Sequence, residues 1–381
     1  MEVVVKVLID GASVLVVDGG ISYISTGYLY MENGLIKSLG AGQAPDELLY
    51  PELLLGGAGR LVAKGFASGF TVLSLYPLRY GLDDVDWFLM KELAKTIKRT
   101  DMYFISVLSL AELVSKGVTE VLVVDTYLDE VARASRDVGV NVTLAPPLNC
   151  GLDDQQQLNE LKLLLGRWHG RVEGVKVGFA VCREIKEDHI ALAKEANIPI
   201  YALELEKEPP KNTENAKIIA VNPVLDTSFP VIYYGRMLRN WKRDSGIGIG
   251  VRPSYSVREV VKEILWSHSA DPVDALLSGT KTTSELIDQR ESSTLREGSR
   301  GSIVVYNLSE PPGWPLPRSL HSAIRAVLEG DAPIETVVVG DDIVLDREGI
   351  LTVGHELFKK AIRRFEEIYP TLPPLISRQQ L

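Results

Sequence analysis

From residue 3 to residue 60 the apolar positions come in short β-branched and aromatic runs, broken by glycine turns and never spaced as a helical stripe. Runs at 3–9 and 13–17 read as strands, with Gly19-Gly20 as the turn after Asp18. Those at 28–31 and 35–39 read as the arms of a hairpin closed by Asn33-Gly34. At Gly59 the pattern changes. An apolar strand over 61–70 is followed by helical spacing over 85–100 and 102–116, the second stretch closed by Gly117. Strand-like runs at 121–124, 140–144, 175–181, 198–203, 217–221 and 247–251 then combine with helical segments at 128–138, 153–165 and 185–196. The run that ends at Asp125 is apolar throughout, as in a parallel strand covered on both faces. This alternation predicts a parallel sheet that right-handed crossovers roll into a barrel. Helices at 257–266 and 272–277 end it. The pattern then reverts to β at 302–306, 336–339 and 343–345, with Pro311, Pro312, Pro315 and Pro317 in the linkers. A last helix over 354–369 precedes a proline-rich tail.

The predicted fold class is therefore α/β: a TIM-like β/α barrel over 61–290, complete or short of one unit, inserted in a small composite β-domain. That β-domain is built from both chain ends, 1–60 and 291–381, and carries the C-terminal helix. The room for a shortened barrel comes from the stretch between Glu206 and Gly246, where only one strand is evident although two βα units would need roughly 30 residues each. A length of 381 residues suits a barrel of roughly 250 plus a satellite. The net charge of −10, spread without like-sign blocks, argues against a general nucleic-acid binder. No run approaches 18 apolar residues, so no membrane span is expected. Glu2, Lys6 and Asp10 interrupt the first residues, so no signal peptide is expected either. Cys150 and Cys182 are the only cysteines, too few for a disulfide scaffold or a cysteine-based zinc cluster. Two unpaired thiols in a reducing cytoplasm is the expectation.

Candidate chemistry is sparse. The five histidines, His169, His189, His268, His321 and His355, form no His-X-His or i,i+4 pair and are expected to be structural. Gly246-Ile247-Gly248-Ile249-Gly250 lacks the Gly-X-Gly-X-X-Gly spacing at a helix start and reads as a strand. Asp83, Asp84 and Asp86, beside Trp87, read as a solvated loop capping the next helix. Asp125 ends the second barrel strand, either facing a ligand or capping the helix toward Leu128. Lys176, inside a strand, is expected to pair with a carboxylate. There is no Walker A sequence and no Gly-X-Ser-X-Gly elbow.

Several segments carry a family resemblance. Asp18-Gly19-Gly20, Asn33-Gly34-Leu35-Ile36 and Leu39-Gly40 open the chain, and Gly65-Phe66 and Gly117-Val118-Thr119 precede the first two barrel strands. Leu276-Leu277 with Lys281, then Leu295-Arg296-Glu297-Gly298-Ser299 and Ile303-Val304-Val305, follow in order. In this sequence of segments the chain resembles the amidohydrolase superfamily, especially its cytosine deaminase, atrazine chlorohydrolase and adenosylhomocysteine deaminase branch. The resemblance implies a metal held by histidines and an aspartate at the barrel mouth. The residues at those positions are different. Phe70-Thr71-Val72 stands where the family has His-X-His, Leu203 where it has a histidine ahead of the acid matched by Glu206, and Gly250-Val251-Arg252 where it has Gly-Thr-Asp. Phenylalanine, valine and leucine offer a cation no lone pair, and arginine repels it.

The expected function is accordingly an amidohydrolase-like protein that has lost metal-dependent catalysis and serves a binding, regulatory or scaffold role. One alternative is a divergent hydrolase of heterocyclic C–N bonds, of deaminase or chlorohydrolase type, using Asp125, Lys176 and Glu206. The other is a non-catalytic subunit of a larger complex. The candidate mouth residues are Phe70, Val72, Asp125, Lys176, Leu203, Glu206, Asn222 and Arg252. None is assigned as catalytic or as a metal ligand. No cofactor is expected, zinc or iron entering only with the hydrolase alternative. The partner is an unspecified small molecule or protein, and homo-oligomerisation is left open. Arg252 is expected to supply the lost positive charge internally by pairing with Asp125 or Glu206.

Overall fold

The computed structural model describes residues 5–347 and 349–373. Residues 3 and 4 of the first expected strand, and most of the proline-rich tail, lie outside the described residues. The runs read as two short strands are one, Lys6–Asp18, paired antiparallel with an equally long Gly20–Glu32. Register shifts between Asp10 and Ala12 and between Ala12 and Val14 explain the misreading. A bulge resets the inward–outward alternation, so the pattern seems to stop and restart. Leu35–Ala41 completes the hairpin, and Leu53–Gly56 runs parallel to the first strand on its other side.

The two chain ends meet in this sheet. Arg60–Lys64 pairs parallel with the first strand and antiparallel with Ser302–Asn307, which in turn pairs with Ile334–Val339. Asp342–Asp346 and Gly349–Ile350 finish a nine-stranded sheet.

The barrel is a ring of eight parallel strands, each hydrogen-bonded to the next. In order these are Phe66–Thr71, Val118–Val123, Asn141–Leu144 continued by Pro147–Leu148, and Val175–Val177 continued by Phe179–Cys182. Ile200–Leu203, Ile218–Val221, Val231–Tyr233 and Gly246–Ile247 follow. The ring closes where the Gly250 N–H donates to the Phe70 carbonyl at 2.8 Å and the Val72 N–H donates to the Gly250 carbonyl at 3.2 Å. The barrel is therefore not short of a strand. What is reduced is the set of crossovers: among the described residues no α-helix follows the fifth, sixth or seventh strand, and the seventh leads only into the 3-10 turn Gly235–Asn240. Val231–Tyr233 escaped notice because three residues after Pro230 are too few to show a period.

The cysteine expectation is overturned. Cys150, after the third strand, and Cys182, at the end of the fourth, form a disulfide with Cα atoms 5.1 Å apart. Parallel neighbouring strands bring their C-terminal ends within bridging distance, which no spacing in the sequence shows. With the thiols paired, cysteine usage no longer points to a reducing compartment. No helix among the described residues is long and apolar enough to cross a membrane.

Barrel and sheet are joined by a buried ion pair. Lys64 Nζ lies 2.8 Å from Glu120 Oε1, with both side chains almost fully excluded from solvent. The ammonium also donates to Ser302 Oγ at 2.9 Å and the Gly65 carbonyl at 3.1 Å, and Ser302 Oγ is 2.6 Å from Thr119 Oγ1. Burial pushes the Lys64 ammonium below its usual range, and Glu120 opposes that shift. Gly65 is required beside it, because a Cβ there would overlap the Thr119 side chain. Lys64→Met alone leaves a buried carboxylate uncompensated and is expected to cost about 3–5 kcal/mol. Lys64→Met combined with Glu120→Leu is expected to recover most of that loss, read from urea unfolding midpoints. Equal destabilisation by the single and double variants would contradict this account.

Candidate active site at the barrel mouth

Parallel barrels place the residues that follow each strand on one face, and here those loops carry most of the polar side chains near the ring. The centre of that face is filled by rings. Phe70, fully buried, stacks on Tyr234 with centroids 4.2 Å apart, and Trp87 meets Phe70 edge-on at 6.5 Å. The glycine-rich eighth strand makes this packing feasible. A Cβ on Gly248 would lie 2.7 Å from the Phe70 backbone nitrogen, and one on Gly250 (φ +64°) 2.7 Å from the Tyr234 ring. The run Gly246-Ile247-Gly248-Ile249-Gly250 is thus a strand thinned to admit two aromatics.

The other expected residues take varied places. Val72 is buried, and its carbonyl accepts from the Tyr255 hydroxyl at 3.1 Å. Leu203 is buried core. Asn222 (φ +48°) clamps the backbone of Tyr234: its Oδ1 accepts from the Tyr234 N–H at 2.9 Å and its Nδ2 donates to the Tyr234 carbonyl at 3.2 Å. Glu206 is exposed and lies 3.7 Å from Arg183. Lys176 does pair with a carboxylate, Glu291 at 3.1 Å, but it sits near the start of the fourth strand, at the opposite end of the barrel from the mouth.

Arg252 does not provide the expected internal countercharge. Its Nη2 is 2.7 Å from Glu263 on the helix Val257–His268, and neither Asp125 nor Glu206 is its partner. Asp125 has no need of a cation. Fully buried, it accepts from the Ser74 and Thr126 N–H groups, each at 2.8 Å. Burial pushes its carboxyl up to about 6, with those N–H groups opposing the shift.

Two mouth residues, Glu204 and Tyr234, were not singled out from sequence, and a third, Asp84, was read only as part of a solvated loop. Asp84 accepts from the Val85 N–H at 2.9 Å and the Arg236 N–H at 3.4 Å, its carboxylate lying where a side chain on Gly235 (φ +56°) would have to be. Burial raises its pKa, against those N–H groups and the charges of Arg236 and Arg252. Glu204, left-handed at φ +50°, is raised chiefly by burial and further by the charge of Asp84, with Arg183 opposing. Both acids push up the buried Tyr234 phenol, after burial itself, so the three groups share one electrostatic neighbourhood. Asp84 lay in the acidic run already noted, and Glu204 falls next to Leu203. Asp86 does cap its helix, accepting from the Phe88 and Leu89 N–H groups.

No group of three or more histidine, cysteine, aspartate or glutamate side chains among the described residues could hold a metal ion. Phe70, Val72 and Leu203, at the ends of the first and fifth barrel strands, are all buried and without donor atoms. The described residues do not fit a mouth-bound dication.

No family model matches the chain. Curated sequences do. A 5-methylthioadenosine/S-adenosylhomocysteine deaminase of Syntrophomonas wolfei is 30% identical over 175 residues, which is 44% of this chain and 40% of that protein. The protein of the same name from Thermoanaerobacter pseudethanolicus is 23% identical over 86% of this chain and 91% of its own length. Among solved structures, a zinc complex of atrazine chlorohydrolase from Arthrobacter aurescens superposes with a TM-score of 0.77 at 14% identity, covering 96% of this chain and 100% of that one. The chain shares the fold of these hydrolases. A zinc-bound adenosine deaminase from Xanthomonas campestris matches equally, with a TM-score of 0.77 at 13% identity over 96% of this chain and 99% of that chain.

These comparisons correct two expectations. The reading as a scaffold without catalysis is overturned, because the relatives are named deaminases and the structural neighbours are hydrolases and deaminases. The expectation of no cofactor is overturned for the family, whose solved neighbours include zinc complexes. The misfit of this chain's own strand ends to such a metal is a separate observation.

Asp125 offers a direct test of the electrostatics. Its folded pKa of about 6 exceeds the ordinary 3.8, so the fold favours its protonated form. That stabilisation is fully present below about pH 4 and is lost as pH rises through about 6, a swing of about 3 kcal/mol. The stability of the native chain relative to Asp125→Asn should therefore fall between pH 4 and pH 7 in chemical denaturation. A difference independent of pH would show that Asp125 is not raised.

Proposed function

We propose that this protein is a deaminase-type hydrolase of a C–N bond in a heterocycle, working at the barrel mouth through carboxylates. The observation that carries the reading is the run of curated relatives named 5-methylthioadenosine/S-adenosylhomocysteine deaminase, some matched across 86–95% of this chain. Hydrolytic deamination needs a base to take a proton from water and an acid to protonate the departing amine. Asp84 and Glu204 supply two carboxyls whose pKa values are both raised by burial, that of Glu204 also by the charge of Asp84. In this reading one of the two serves as the base and the other as the acid that the reaction requires. The arginines that oppose the shifts, Arg183 beside Glu204 and Arg236 and Arg252 beside Asp84, keep the remaining charge compensated. No step is assigned to a metal, because the described strand ends do not fit one.

The test is ammonia release from 5-methylthioadenosine and from S-adenosylhomocysteine, between pH 5 and pH 9. Turnover is expected to fall by roughly 100-fold or more in Asp84→Asn and in Glu204→Gln. Absence of release from these nucleosides, and from cytosine and triazine substrates, would overturn the proposal.

A further inference from the structure

The C-terminal helix His355–Ile368 carries two apolar stripes one residue out of phase. Leu357, Ala361 and Ile368 face the body of the protein, where Arg364 pairs with Asp101 of the helix Arg99–Ser115. Phe358, Ile362, Phe365 and, in the turn that follows, Tyr369 form the second stripe. Their spacing of four, three and four residues is that of a coiled-coil seam. This second stripe is only partly covered: Ile362 is 43% exposed and Tyr369 52%. It forms one wall of a groove of about 580 Å³, with Leu108 on the facing helix and Tyr80, 77% exposed, at its edge. An open apolar surface of this kind on a helix pair is a contact site rather than ordinary surface.

We propose that the groove receives the same helix from a second copy of this chain, antiparallel across a two-fold axis. The charges beside the seam select that occupant. Lys359 and Glu366 are seven residues apart, both exposed, and lie on the flank of the stripe that faces away from the protein's own core. In an antiparallel two-fold pair, flank meets flank with direction reversed. Lys359 of each copy then faces Glu366 of the partner subunit, while Phe358 meets the partner's Tyr369 and Ile362 meets the partner's Phe365. In a parallel pair this flank would instead meet the opposite flank of the seam, where Gly354 and Ala361 carry no charge to match Lys359 and Glu366. The stripe is thus complementary to its own reverse, as an isologous contact requires. This inference does not depend on the proposed activity.

Sedimentation equilibrium on the full chain is expected to give twice the 42.0 kDa of one chain at micromolar concentration. Ile362→Glu, at an exposed position that leaves the fold intact by circular dichroism, is expected to give monomer. Lys359→Glu and Glu366→Lys alone are each expected to weaken association roughly three- to tenfold, since each pair occurs twice. Together they are expected to restore it, an outcome that simple loss of helix stability does not produce. A monomeric full chain would overturn the proposal. A dimer indifferent to Ile362→Glu, or failure of the double reversal to restore association, would also overturn it. Dimerisation only after removal of residues 374–381 would assign the groove to the chain's own end instead.

Discussion

The fold depends on burying one charge pair at the junction of its two parts. Lys64 belongs to the strand that leaves the composite sheet, and Glu120 to the second strand of the barrel. Neither charge could be withdrawn from water without the other, and the Ser302 hydroxyl that completes the site comes from the far end of the chain. Formation of this small polar cluster therefore requires three distant segments to be in register at once. The close approach at Gly65 makes the same demand sterically, because only a residue without a side chain lets the strand pass Thr119.

At the opposite end of the barrel the problem is solved differently. The centre of the mouth is closed by the Phe70–Tyr234 stack, fitted against a strand reduced to alternate glycines. Asp125 is fully buried, its carboxylate accepts from the Ser74 and Thr126 N–H groups, and burial raises its pKa. Polar chemistry is displaced outward to Asp84, Glu204 and their arginines. The Cys150–Cys182 bridge ties the loops after the third and fourth strands beside this rim. The residue after the bridge, Arg183, has a left-handed backbone (φ +67°), as does Glu204.

Much of the architecture was legible along the chain. Period-two runs at both ends, strand–helix alternation between them, and the Asn33-Gly34 hairpin all reflect local forces that act within a few residues. That Phe70, Val72 and Leu203 carry no donor atoms was also plain, since donor chemistry is a property of the side chain alone. Errors arose where local pattern and tertiary context part. A bulge split one strand into two, and the three-residue strand Val231–Tyr233 exists because its neighbours supply its hydrogen bonds.

The sequence by itself determined the β character of both chain ends, the strand–helix alternation between them and the absence of a His-X-His pair, because periodicity and side-chain chemistry are local. Only the tertiary structure decided which charges meet. Arg252 found Glu263 on the next helix rather than an acid across the barrel, and Lys176 proved to lie at the wrong end of its strand for the mouth. Asp84 and Glu204, 120 positions apart in the chain, share one field through loops whose paths no pattern encodes. The same holds for Cys150 and Cys182. Pairings of this kind depend on through-space distance, and distance across a barrel is set by the closure of the ring rather than by spacing along the chain.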